Sequence, residues 1–336
     1  MRVGLLGAGR IGGWHARLLA RHPLVDELVV ADADRRRAEV LAGPLGARVA
    51  DPEEVFAARP DAVVIATPTG THAELLVRAC EARIPAFCEK PVAEDLAATL
   101  AVRDRVAASG VPVQIGFQRR FDAGYAAARA ALRDGGIGVL HRVHMVTADP
   151  APPPAEYVAV SGGIFRDCQI HDFDVLRWVT GQEVEAVTAV GANRGAPYFA
   201  EAGDVDASAV LLVLSGGTVA TAHGGRYNAA GYDVRMELAG TAGTWVVGLD
   251  ERAPLRSAEP GVDWPSGDSW GDFRERFEPA YATEIGTFLD VARGHAPSPC
   301  TVDDALAALL IAEAATLSRR EGRTVRPAEL TPAEAR

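Results

Sequence analysis

The first third of the chain alternates short unbroken apolar runs with stretches of helical periodicity. Arg2–Leu6 reads as a buried strand, and residues 14–19 carry a helical pattern behind it. Residues 28–31, 61–66, 84–88 and 111–116 are further short apolar strands, with helices running to about Arg83 and over 95–108. Strands apolar on both faces that recur about every 25 residues predict a parallel, doubly wound α/β sheet, a Rossmann arrangement.

Beyond Gly116 the texture changes. An Ala-rich helix ends near residues 134–136, and runs of β character follow at 139–148, 184–192, 207–214, 218–223, 233–239 and 244–247. Turn residues such as Ser215-Gly216-Gly217 separate several of them. This half therefore reads as an α+β domain with a largely antiparallel, open sheet of about six strands. The proline run 150–154 is a stiff connector, 250–278 a long polar loop, and 281–293 and 302–320 are helices. Residues 331–336 are expected to fray. Two domains follow, 1–118 for a nucleotide and 119–330 for substrate binding and oligomerisation. Strands apolar at both parities near 210–214, with no chain left to cover them, predict a homo-oligomer, a dimer or tetramer packed through this sheet.

Composition narrows the partners. Net charge is −11, from 34 basic and 45 acidic residues, which argues against nucleic acid or an anionic membrane. No run of about 18 apolar residues is present, so no membrane span is expected. Cys80, Cys88, Cys168 and Cys300 form no Cys-x-x-Cys pair and read as free thiols of a reducing, cytoplasmic compartment. The opening Met1–Leu6 run breaks at once into glycines, as a strand does and a signal sequence does not.

Candidate chemistry begins at Gly7-Ala8-Gly9-Arg10-Ile11-Gly12, between the first strand and the first helix. In that context the Gly-x-Gly-x-x-Gly turn is a dinucleotide fingerprint, its helix N-terminus offering N–H groups to a pyrophosphate. Asp32, 20 residues past Gly12, is placed to accept hydrogen bonds from ribose hydroxyls and to repel a 2′-phosphate. This favours NAD, although nearby Arg35 leaves NADP open. Ligands of such a sheet gather at the carboxyl ends of the strands. Those ends hold the glycine turn, Thr67, Pro68, Thr69 and His72, and Glu89-Lys90-Pro91. Lys90, between a strand and a proline, is held extended at the ligand edge, where it is suited to binding a substrate hydroxyl.

The second half contributes Asp167 and His171, four residues apart in a segment read as a loop running into a helix. If both are helical they share one face, and a carboxylate beside an imidazole orients a base. Asp172 and Asp174 lie close by, but no second clustered histidine accompanies them, so no metal is expected.

These motifs together resemble the Gfo/Idh/MocA family of nicotinamide-dependent oxidoreductases. The glycine turn, Ala66-Thr67-Pro68-Thr69-x-Thr71-His72 and Glu89-Lys90-Pro91 carry the family resemblance. Gly116-Phe117-x-Arg119-Arg120-Phe121-Asp122, Asp149-Pro150-Ala151-Pro152-Pro153, Ser161-Gly162-Gly163-Ile164-Phe165-x-Asp167, Ile170-His171-Asp172-Phe173-Asp174 and Arg276-Phe277-x-x-Ala280-Tyr281-x-x-Glu284 are similar to its inositol-oxidising branch. The resemblance implies a catalytic lysine, aspartate and histidine at Lys90, Asp167 and His171, and polyol contacts near Thr147, Asp149 and Tyr281. It implies NAD-dependent oxidation of a cyclic polyol, myo-inositol first. The alternatives are scyllo-inositol, an aldose or a nucleotide sugar on the same fold, or a non-catalytic nucleotide sensor. Ala148, Cys168 and Gln169 depart from residues usual in the branch, which bears on the substrate.

Overall fold

A computed structural model describes residues 1–331. The expectation for 331–336 falls, apart from Thr331, outside the described residues. The first half alternates as its pattern predicts: β1 (Arg2–Leu6), α1 (Arg10–Arg21), β2 (Glu27–Ala31), α2 (Arg35–Ala42), β3 (Arg48–Val49), α3 (Pro52–Ala57), β4 (Ala62–Ile65), α4 (His72–Ala82), β5 (Ala86–Glu89), α5 (Leu96–Ser109) and β6 (Val113–Gly116). All its strand pairs are parallel, in the order β3-β2-β1-β4-β5-β6. That order reverses at β1/β4, the switch point where doubly wound sheets bind nucleotides.

The second half holds α6 (Ala123–Arg133), β7 (Leu140–Ala148), α7 (Ala155–Val158), α8 (Ile164–Asp167), α9 (Ile170–Thr180), β8 (Val184–Ala192), α10 (Tyr198–Glu201), β9 (Ala207–Leu214), β10 (Val219–Gly225), β11 (Asp233–Gly240) and β12 (Thr244–Val247). Two long helices close the chain, α11 (Phe273–Ala292) and α12 (Val302–Glu321). The second sheet runs β12-β11-β7-β10-β9-β8. Its pairs are antiparallel except β7 with β10, which run parallel with Ala148 opposite Gly225.

The chain divides into two compact units. One is Met1–Gln118 with Pro279–Ala307, the other Arg119–Glu278 with the chain from Ala308 onward. The second domain is therefore not the continuous stretch 119–330. Ile285, Phe288 and Leu289 of α11 belong to the core around β1, β2 and β4, and Phe288 meets Phe87 of β5 at 5.7 Å between ring centroids. Apolar periodicity marks a buried helix face without naming its partner, so this return leaves no trace in the pattern.

Two boundaries also differ. The polar segment expected as a loop to residue 278 becomes helical at Phe273, because Pro279 is accommodated inside α11 by a non-helical Phe277 (φ −113°, ψ 15°). The segment carrying Asp167 and His171 is two helices, not one. The N–H groups of both Cys168 and Gln169 converge on the Ile164 carbonyl, each at 3.0 Å, and end α8 at Asp167 before α9 begins. Gln169 is fully buried at the break, its side-chain carbonyl accepting from the Ser208 hydroxyl at 2.7 Å.

Candidate functional site

In the first unit the glycine turn joins β1 to α1. Gly7 has φ +102°, and a Cβ there would lie 2.4 Å from the Ala66 carbonyl oxygen. A Cβ on Gly12 would lie 2.0 Å from the Gly7 carbonyl oxygen, so α1 starts against the strand as only glycine permits. A Cβ on exposed Gly9 would meet nothing within 4 Å. The turn is thus packed on its inner side and open over Gly9, Arg10 and Ile11, the shape a pyrophosphate needs. One Asp32 oxygen accepts from the Ala8 N–H at 2.7 Å and the other from the Asp34 N–H at 2.8 Å. Each oxygen keeps acceptor capacity for a ribose hydroxyl. The residues present fit a dinucleotide.

Arg35 opens α2 with its guanidinium on Asp51 (3.0 Å) and Glu39 (3.3 Å). These acids compete with any 2′-phosphate. Asp32→Ala is expected to weaken NAD+ by about ten- to a hundredfold, the scale of hydrogen bonds to a charged group, and to narrow the preference over NADP+. Titration of both cofactors by protein fluorescence checks it.

The other predicted cofactor residues sit at the ends of β4 and β5. Thr67, Pro68 and Thr69 follow β4, and the Thr71 hydroxyl donates to Thr67 Oγ1 at 2.7 Å. His72 is buried, with Nδ1 2.7 Å from the Pro91 carbonyl and Nε2 2.8 Å from the Thr67 carbonyl. It therefore joins the Thr67 turn to the Lys90-Pro91 turn, which is a supporting place under the loops. Glu89 is the last residue of β5 and meets buried His15 of α1 at 2.7 Å. Lys90 follows directly, half-buried. Tyr281 is buried in this unit, its ring 5.9 Å from His15 and 6.5 Å from Trp14.

The second unit brings Asp149 and Asp167 together through a residue the motifs did not single out. Arg226, buried at the end of β10, reaches Asp167 Oδ2 at 2.9 Å and Asp149 Oδ2 at 3.2 Å. The Tyr157 hydroxyl donates to Asp167 Oδ1 at 2.7 Å. Burial, reinforced by the Asp167 carboxylate, pushes the Tyr157 phenol well up, so it remains a donor. Burial also holds the Asp149 carboxyl above its ordinary value; Arg226 pulls it down and Asp167 pushes it up. His171 stands in the first turn of α9, half-buried.

Thr147 lies elsewhere, in a buried network. Its hydroxyl donates to Asp172 at 2.7 Å and accepts from Arg119 at 3.0 Å, while Arg119 meets Asp172 at 2.5 Å. Burial raises the Asp172 carboxyl and Arg119 opposes the rise. Arg120 grips Asp174 through two bonds of 2.9 and 2.6 Å. The adjacent arginines of Gln118–Phe121 thereby pin the first turns of α9, fixing the backbone that carries His171. The signal for them was present in the sequence as two arginines beside an apolar strand and two acids in an apolar helix. The signal for Arg226 was a lone cation two glycines past the run of β character at 218–223.

A parallel sheet in the order 3-2-1-4-5-6 with a glycine fingerprint and an acid directly after the second strand defines a dinucleotide-binding domain. Residues 1–117 match the family model described as the oxidoreductase family with an NAD-binding Rossmann fold, and 125–246 match the GFO/IDH/MocA C-terminal domain. The chain is 37% identical over 332 residues to an inositol 2-dehydrogenase of Rhizobium meliloti, covering 97% of this chain and 98% of that one. A crystal structure of a myo-inositol dehydrogenase from Corynebacterium glutamicum superposes with a TM-score of 0.89 at 38% identity, covering 99% of each chain. A scyllo-inositol dehydrogenase from Lactobacillus casei, solved with NAD(H) and scyllo-inositol, gives 0.88 at 29% identity, covering 98% of this chain and 99% of that one. The chain belongs to the Gfo/Idh/MocA family of NAD-binding oxidoreductases.

Proposed function

We propose that the protein oxidises a secondary alcohol of a cyclic polyol with NAD+, myo-inositol to its 2-keto product being the leading reaction. The observation that carries this reading is the Asp167 carboxylate, oriented by Tyr157 and Arg226 at the end of α8, just before the helix that presents His171. Gly7, Gly9, Arg10, Ile11 and Gly12 hold the pyrophosphate, and Asp32 the adenosine ribose. Thr67, Pro68, Thr69 and Glu89 line the same strand ends, and His72 supports them. Bound NAD+ supplies the hydride acceptor. His171 takes the hydroxyl proton, Asp167 orients the base and binds a neighbouring hydroxyl, and Lys90 holds the reacting oxygen and stabilises its alkoxide character. Asp149 and Tyr281 contact the polyol.

Measuring NADH formation against myo-inositol, scyllo-inositol, D-chiro-inositol, glucose and galactose tests the reading. Turnover of an inositol supports it. Turnover of an aldose alone moves the substrate while keeping the machinery, and tight NAD+ binding without any turnover favours a sensor.

The four cysteines, free and buried, suit a reducing compartment, and we assign the protein to the cytoplasm; no helix of the described residues is long and apolar enough to cross a membrane. Val190, Leu211, Val213 and Val219 share one exposed face of the second sheet. Covering that face with a second copy makes the protein a homo-oligomer. Light scattering after size exclusion is expected to give a dimer or tetramer at micromolar concentration; a monomer there overturns this assembly.

A further inference from the structure

The placement of Arg226 follows from the one parallel pair of the second sheet. Gly225 is the register partner of Ala148, so β7 and β10 end side by side and in the same direction. The residues that leave them, Asp149 and Arg226, are therefore neighbours. The Asp149 N–H donates to the Gly225 carbonyl at 2.9 Å, and the Arg226 N–H donates to Asp206 at 2.8 Å, which fixes both backbones. From this anchored position the guanidinium spans three acceptors. Nη2 reaches Asp167, and Nη1 reaches both Asp149 and the Cys168 sulfur, the last at 2.7 Å. Cys168 in turn points its Sγ at Asp149, 3.6 Å away.

Two carboxylates beside one another repel, and a single cation between them lets both stay charged. A planar fork is the side chain that does this while also fixing the direction of each carboxylate. We infer that Arg226 is a positioning residue for the reaction: it holds Asp167 ionised and aimed, with Asp149 on its other arm. The inference rests on the reading above that Asp167 serves the base. The other titratable groups around the cluster are Tyr157 from α7, Cys168 from the α8–α9 break, Tyr232 ahead of β11 and Tyr198 of α10, with His171 the next along the chain. All three tyrosines are shifted upward, so none of them adds a third negative charge near neutral pH. Without Arg226 the cluster keeps two acids and loses the guanidinium that spans them.

The test uses Arg226→Ala, Arg226→Gln and Arg226→Lys in the full-length protein, with Asp167→Asn as control. Arg226→Ala and Arg226→Gln are expected to lower kcat by about ten- to a hundredfold with NAD+ binding unchanged. The acid limb of kcat/KM is expected to move up by about one pH unit or more. Arg226→Lys restores charge without the fork and recovers part of the rate. Guanidinium ion added to Arg226→Ala at millimolar concentration is expected to restore activity and return the limb, which a merely structural role does not do. Carbon-13 NMR of labelled aspartate, assigned with Asp149→Asn and Asp167→Asn, reads the same shift without turnover and serves if Arg226→Ala does not fold. Unchanged carboxylate titration and wild-type kcat in Arg226→Gln, while Asp167→Asn is impaired, overturn the inference alone. Full turnover in Asp167→Asn overturns the functional reading instead.

Discussion

Replacing His171 by alanine is expected to lower turnover about a hundredfold or more, the usual contribution of a positioned general base. Lys90→Ala is expected to do the same. The hydroxyl proton of a secondary alcohol has no acceptor near neutral pH without the imidazole, and the oxygen loses its stabilising cation without the lysine. Neither change touches the glycine turn or Asp32, so NAD+ binding, followed by fluorescence, should stay within a few-fold of the parent. A fall in kcat at unaltered NAD+ affinity separates loss of chemistry from loss of the site. Near-normal turnover in either variant removes that residue from the mechanism.

The second large effect concerns stability. Arg120→Ala is expected to cost about 3–5 kcal/mol, the scale for breaking a buried ion pair by removing one partner. The pair is deep: the Arg120 side chain is 4% exposed and that of Asp174 1%. The two parallel bonds between them are lost together, while the Asp174 carboxylate stays buried. Urea unfolding of parent and variant gives the number. The double replacement Arg120→Met with Asp174→Leu should recover much of the loss, because it leaves no stranded charge. A cost below about 1 kcal/mol, the range of exposed pairs, would mean that Asp174 is not isolated from water.

Much of this was legible in one dimension. The strands of the first sheet are short and apolar on both faces, and the glycine turn can occur in only one place between strand and helix. β8, β9 and β12 have the bounds their apolar runs predict, since turn glycines frame them. What escaped was of two kinds. Local patterns too short or too charged to show periodicity hid α2, β3 and α3, and a proline inside α11 displaced its predicted start. Long-range pairings hid the rest. Arg119 and Arg120 find their acids 53 and 54 residues away, Arg226 reaches Asp167 across 59, and nothing in local spacing encodes such distances. Asp167 and His171 were found as a pair by spacing, but the break between them depends on buried Gln169 and its partner Ser208, which only the fold brings together.

The return of residues 279–307 to the first unit has a consequence for synthesis. A ribosome releases the six strands of the nucleotide sheet first, but Ile285, Phe288 and Leu289, which complete the core around β1, β2 and β4, come far later. At about 5–20 residues per second the delay is on the order of ten seconds, and during it nearly all of the second unit emerges. The half that begins first is thus completed only after residues 119–278 have been made. A fragment ending at residue 118 lacks part of its own core, and its nascent sheet leaves that apolar surface uncovered until α11 arrives.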